Sequence, residues 1–188
     1  MSKTIWIVLG VVVLIVVIFA GSMVGSYNSL VALNQQVDGS WAQVETVLQR
    51  RYDLIPNLVN TVQGFADQER ELLTEVTRLR SQWGEARSQA DQAQVAGQLE
   101  GAIGRLMLVA ESYPQLQSNQ NFLALQDELA GTENRIAVER RRFNDAVRDY
   151  NTRVQQFPTV VIASMTGFDT REFFEATVGA DQAPAVEF

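Results

Sequence analysis

The chain of 188 residues carries 22 acidic against 15 basic residues, a formal net charge of −7, and Lys3 is its one lysine. That balance argues against nucleic acid as a partner and against adhesion of a whole face to anionic lipid. With no cysteine and no histidine, disulfides, thiolate chemistry and zinc–thiolate sites are excluded, and so are the usual imidazole base and the commonest metal ligand.

Ile5 to Val24 reads IWIVLGVVVLIVVIFAGSMV, twenty residues without a charge. As a helix it is roughly 30 Å long, the hydrocarbon thickness of a bilayer. Phe19-Ala20-Gly21-Ser22 is a poor imitation of a signal-peptide cleavage site, and no cysteine follows to carry a lipid. The expectation is therefore a retained membrane anchor over 1–25, with residues 5–24 in the bilayer of a bacterial inner membrane. Positive charge before the span is confined to Lys3 and the N-terminus, and the next cations are Arg50 and Arg51. This weakly favours a body on the extracytoplasmic side. Gly21 and Gly25 have the small-xxx-small spacing that lets transmembrane helices approach closely. The stretch from Gly21 to Ser26 is read either as a hinge or as continuing helix.

About 160 residues follow the span, enough for a domain with its own core. Tyr27, Leu30, Val37, Trp41, Val44 and Leu48 recur at three and four spacings, with Asn34 in the same stripe, and predict a helix with one buried face. That helix is expected to stop near Arg51, because Pro56 sits badly in a helix interior; Asp53 then caps a second one. The second stripe is Ile55, Leu58, Val62, Phe65, Leu72, Val76, Leu79 and Trp83, with Glu69 in the slot where a hydrophobe is missing. After a turn from Gly84 to Asp91, a lighter third helix faces Ala96, Leu99, Ile103, Leu106 and Ala110 inwards and ends at Tyr113-Pro114. Gly97, Gly101 and Gly104 make it soft.

Asn119 to Gln156 is the longest helix. Phe122, Leu129, Ile136, Phe143, Tyr150 and Phe157 recur every seven residues, and Gln126, Glu133, Arg140, Val147 and Val154 lie between them. Four stripes joined by short turns predict an all-α body, an antiparallel up-down-up-down four-helix bundle over 26–157. Beyond Pro158, an apolar segment over 158–178 carries Phe168, Phe173 and Phe174, too many aromatics to leave in water, and is expected to pack on the bundle end or a neighbour. The last residues, 179–188, read as a flexible tail.

Four-helix bundles often hold two metal ions through inward carboxylates and Glu-x-x-His pairs. This chain lacks histidine, and its core helices carry no Glu-x-x-Glu pair. No phosphate-cradling loop or nucleophile elbow is present either. The expectation is no enzyme and no cofactor. Asn34, Glu69, Glu133 and Arg140 nevertheless fall at slots that face the core. They form either a buried polar network that fixes register, with Arg140 paired to Glu133 or Glu69, or separate points where the bundle splays and water enters. Arg140-Arg141-Arg142 points in three directions and reads as solvated charge; Arg50-Arg51-Tyr52-Asp53 reads as a local cap and ion-pair arrangement.

Several runs are characteristic as strings: Tyr27-Asn28-Ser29-Leu30-Val31, Trp41-Ala42-Gln43-Val44, Leu48 to Val59 (LQRRYDLIPNLV), and Gly64-Phe65-Ala66 with Glu69. Arg142-Phe143-Asn144, Tyr150-Asn151, Phe157-Pro158 and Gly167-Phe168 add to them. Together they resemble the LemA family over nearly the whole chain. The resemblance implies a bacterial single-pass membrane protein with an antiparallel helical bundle and no established enzymatic activity. Members commonly have Lys and His near the Gly-Tyr-Ala segment, where this chain has Gln63 and Gln68, so a function resting on that histidine does not carry over.

Function is then read as an envelope scaffold or adaptor. It would work by packing with itself, as a homo-oligomer, or with another membrane protein. The alternative is a sensor or ligand-binding module whose third helix yields to a small molecule or peptide, in a pocket lined by Ala96, Ile103 and neighbouring aromatics.

Overall fold

A computed structural model describes residues 3–66 and 68–174, with side chains from Ile5 onward, and every regular element among them is helical. In chain order these are α1 (Lys3–Gln63), α2 (Arg70–Glu85), α3 (Gln89–Ala110), α4 (Pro114–Gln117), α5 (Gln120–Gln155) and α6 (Thr159–Thr166). The expected tail at 179–188 lies outside the described residues. The chain divides into two compact units, one made of Met1–Ser40 and Asn144–Glu172, the other of Trp41–Phe143 and Phe173–Phe188.

In the first unit α1 is long and apolar enough to cross a membrane. It passes through Gly21 to Ser26 without a break, so there is no hinge at that point. Every large apolar side chain from Ile5 to Phe19 is exposed, and burial on α1 begins only at Met23 and Ser26. Leu30 and Val37, from α1, and Ala146, Val147, Tyr150 and Val154, from α5, are buried. Helix α6 buries Thr159, Ile162 and Ala163 and ends at Gly167, whose φ of 76° closes the helix in the left-handed region. Phe157 departs from the expected seven-residue recurrence. It is 82% exposed, because α5 stops at Gln155 and the helical register with it.

In the second unit the predicted boundary near Arg51 is absent: α1 continues through Pro56 to Gln63. A proline inside a helix removes one N–H donor, here the partner of the Tyr52 carbonyl four residues back. The Nε of Arg80 donates to that carbonyl at 3.3 Å, while buried Tyr52, Ile55, Leu58 and Val62 anchor the helix on both sides. The break comes instead between Gly64 and Glu69, where the N–H groups of Phe65 and Ala66 both donate to the Val62 carbonyl. This resets the second stripe. Phe65 is 38% exposed, and after the break Leu73, Val76, Leu79 and Trp83 are the buried set.

Helix α3 follows the sequence closely, burying Ala96, Leu99, Ile103, Leu106 and Ala110, with Ala102 added. Ser88 caps it, accepting from the Asp91 N–H at 3.0 Å and donating to the Asp91 carboxylate at 2.6 Å. Asn119 caps α5 by accepting from the N–H groups of Asn121 and Phe122. A Cβ added at Gly101 or Gly104 would meet nothing within 4 Å, so no close neighbour requires glycine there.

Candidate functional site

In the second unit, buried Arg51 and three half-buried charges gather into one layer. Arg51 on α1 is 5% exposed, and its guanidinium pairs with the Glu133 carboxylate on α5. Arg140, two turns further along α5, lies 3.6 Å from Glu100 on α3. Its guanidinium also sits 4.4 Å above the ring of Phe174, a cation over the negative face of an aromatic quadrupole. Phe174 is itself buried against Trp41, with ring centroids 6.0 Å apart, and Trp41 meets Phe143 edge-on at 5.2 Å. Burial pushes the Arg51 pKa down by desolvation; Glu100 opposes the shift and Arg140 adds to it. Two arginines and two carboxylates thus balance one another between three helices.

Beside this layer Tyr52 and Trp83 stack with centroids 4.1 Å apart. Burial raises the Tyr52 pKa, and the adjoining Arg51 moderates the rise.

A second constellation, in the first unit, holds the chain that leaves α6. Asn34 and Asp38 lie four residues apart on one face of α1. The Arg171 guanidinium donates to the Asn34 amide oxygen at 2.9 and 3.2 Å and to the Asp38 carboxylate at 3.0 Å. The backbone of Arg171 is held as well: its N–H donates to Asn151 Oδ1, and its carbonyl accepts from Asn151 Nδ2, both at 2.8 Å. One residue before Asn151, the Tyr150 hydroxyl donates to the Asp169 carbonyl at 2.9 Å. Burial raises the Tyr150 pKa, with Arg171 opposing. Phe168 meets Tyr27 edge-on at 5.9 Å.

Of the four polar residues singled out in the sequence, Glu133 and Arg140 lie in the charged layer, and Asn34 belongs to the clamp on Arg171. Glu69 sits at the N-cap of α2 and makes no side-chain cap bond. Glu100 completes the layer without having been singled out; Arg51, which the sequence reads as part of a local cap and ion-pair arrangement, completes it too and pairs instead with distant Glu133. Their signal was present in the register: Arg51 is three residues after Leu48 and four before Ile55, and Glu100 is four after Ala96 and three before Ile103. The three aromatics divide, with Phe168 on Tyr27, Phe174 in the layer and Phe173 48% exposed. Gly21 and Gly25 lie on the exposed part of α1, and a Cβ at either meets nothing within 4 Å. Ala96 and Ile103, expected to line a pocket along α3, are each 6% exposed. An open depression lies at the α2–α3 turn, lined by Gln82, Glu85, Arg87, Asp91 and Gln98 among others.

The comparisons with known proteins agree with the family resemblance. The chain is 27% identical over 195 residues to Magnetosome protein MamQ 2 of Paramagnetospirillum magneticum, covering 90% of this chain and 72% of that protein. It is 26% identical over 201 residues to Magnetosome protein MamQ of Magnetospirillum gryphiswaldense, covering 93% and 74%. Protein LemA of Metamycoplasma hominis is 21% identical over 166 residues, covering 88% and 76%. Since the sequence profile of the LemA family matches residues 40–188, most of the chain, the protein belongs to the LemA family.

Proposed function

We propose that the protein is a non-enzymatic scaffold or adaptor of the bacterial cell envelope, anchored in the inner membrane by one span over residues 5–24. Its helices over 26–157 work as an antiparallel up-down-up-down bundle, with the body on the extracytoplasmic side. It acts by self-association or by binding another membrane protein. The observation that carries this reading is the start of α1, where a run of apolar side chains from Ile5 to Phe19 is exposed all round the helix. Such a surface is stable in hydrocarbon or against other apolar helices, and not in water. The polar clusters support a structural role, because their charges are spent on partners within the chain: Arg51 on Glu133, Arg140 on Glu100 and Phe174, Arg171 on Asn34 and Asp38. The relatives' names mention no reaction.

The test is size-exclusion chromatography with light scattering in mild detergent, joined to crosslinking in native membranes. The expected result is a particle of more than one chain, or a reproducible crosslinked membrane neighbour. A monomer that crosslinks to nothing removes the scaffold reading. The ligand-binding alternative draws on the depression at the α2–α3 turn, but that surface is open and about as polar as it is apolar. A drug-sized ligand usually needs a mostly apolar enclosure.

A further inference from the structure

We infer that the outer face of α6 lies in the interfacial layer of the same bilayer that α1 crosses, giving the protein a second membrane contact. The inference rests on reading Ile5 to Val24 as a span. From Val154 to Phe168 the sequence VQQFPTVVIASMTGF contains no charged residue, with Arg153 before it and Asp169 after it. Helix α6 turns Thr159, Ile162 and Ala163 into the protein. It leaves Val160, Val161 and Met165 exposed at 40, 47 and 73%, and Phe157 just ahead of it at 82%.

Position decides what covers these side chains. On α1 the apolar run ends at Val24, and burial begins at Met23 and Ser26. Phe168, two residues beyond α6, meets Tyr27, and Arg171 reaches Asn34 and Asp38. The chain leaving α6 therefore runs along α1 away from the apolar run, and followed backwards from Phe168 it leads α6 towards the level of the span's exit. Its outer face continues the exposed apolar surface of the span. Gln155, Gln156, Ser164 and Thr166 are exposed too, polar without charge, as suits the headgroup level. With no cation on the element, attraction to anionic lipid contributes nothing, so the contact is with the acyl boundary of any bilayer and not with a particular headgroup.

The chain has no cysteine, so single-cysteine variants can carry an environment-sensitive fluorophore in the full-length protein reconstituted into phosphatidylcholine vesicles. Labels at Val161→Cys and Met165→Cys are expected to be quenched by doxyl lipids several-fold more than a label at Gln35→Cys, and to be shielded from iodide. Adding phosphatidylglycerol should leave both results unchanged. Val13→Cys reports the anchor. If its label is lipid-quenched while those at Val161 and Met165 are quenched by iodide as readily as at Gln35, this inference falls and the anchor stands. A label at Val13 open to iodide and untouched by doxyl lipid removes both. Labels at Val161 and Met165 shielded from iodide yet not quenched by lipid indicate a protein contact, such as a second copy, and overturn the inference as well.

Discussion

The Nε of Arg80 donates to the carbonyl of Tyr52, the acceptor that Pro56 leaves without its helical partner. A donor from α2 thereby repairs a defect in α1, and a proline that would otherwise end the helix is tolerated within it. Replacing Arg80 by Ala should cost about 1 kcal/mol, the usual net value of such a bond. In a chain of this size that lowers the thermal midpoint by about 2–4 °C. Pro56→Ala restores the N–H, so the Arg80→Ala effect should shrink towards zero in that background. Circular dichroism melts of the four proteins of this cycle, in one detergent, measure the coupling. Equal effects of Arg80→Ala in both backgrounds would show that the bond does not serve the proline.

Arg51 and Glu133 are unequal partners, because the guanidinium is buried while the carboxylate side chain is 39% exposed. Removing the carboxylate strands a buried cation; removing the cation leaves a carboxylate that water can reach. Glu133→Ala is therefore expected to cost about 2 kcal/mol, below the 3–5 of a fully buried pair because of that exposure and because Glu100 also favours the Arg51 charge. Arg51→Met should cost less than about 1 kcal/mol, since desolvation of the guanidinium is relieved together with the pair. Urea unfolding of both variants decides it, and the reverse order of stabilities would refute the assignment.

Alkaline stability should report on Tyr52. A phenol whose pKa is raised by burial holds its proton more tightly when folded than when unfolded. Its contribution is complete below the ordinary value of 10.0 and is lost as pH rises above it towards the folded value. The Tyr52 hydroxyl is buried without a hydrogen-bond partner among the described residues. Tyr52→Phe should therefore be neutral at pH 7 or stabilising by up to about 1 kcal/mol. It should also make the fall in stability above about pH 10 shallower, leaving the part due to Tyr150, whose pKa burial also raises. Urea midpoints compared at neutral pH and at about pH 10.5 test both statements; an unchanged alkaline slope would count against Tyr52 as its source.

The parts of the fold that were legible in the sequence are those whose causes are local. The charge-free run at Ile5, the α3 stripe from Ala96 to Ala110 and the seven-residue recurrence from Phe122 to Tyr150 act within a few residues of themselves. Pro56 was read as a helix end because its defect is local, whereas the donor that repairs it, on Arg80, comes 28 residues after the Tyr52 carbonyl that the proline leaves open. Glu133 and Arg140 stood out as polar residues in apolar slots. Arg51 did not, since an Arg-Arg-Tyr-Asp run is also what a helix junction looks like. Asn34 was legible as an intrusion, but its partner Arg171 lies 137 residues away. No spacing rule links the two; only the return of the chain after α6 brings them together.

That return depends on Asn151, whose side-chain amide pairs with both the N–H and the carbonyl of Arg171, as a neighbouring strand would. Asn151→Ala removes two bonds at once and should cost about 2 kcal/mol. The loss is expected to be local, because the segment from Gly167 to Glu172 is irregular and is held chiefly by these bonds, by the Tyr150 hydroxyl on Asp169 and by the Arg171 side chain. Trypsin cleaves after arginine, so the peptide bond following Arg171 is a built-in probe of opening. Cleavage there should accelerate by more than tenfold in Asn151→Ala, since 1.4 kcal/mol corresponds to a factor of ten in the open population. Cleavage after Arg78, on α2, should stay at its original rate. Tyr150→Phe, which loses the single bond to Asp169, should give a smaller acceleration in the same direction. If cleavage after both arginines rises together in Asn151→Ala, the substitution has destabilised the whole fold and the clamp is not an independent element.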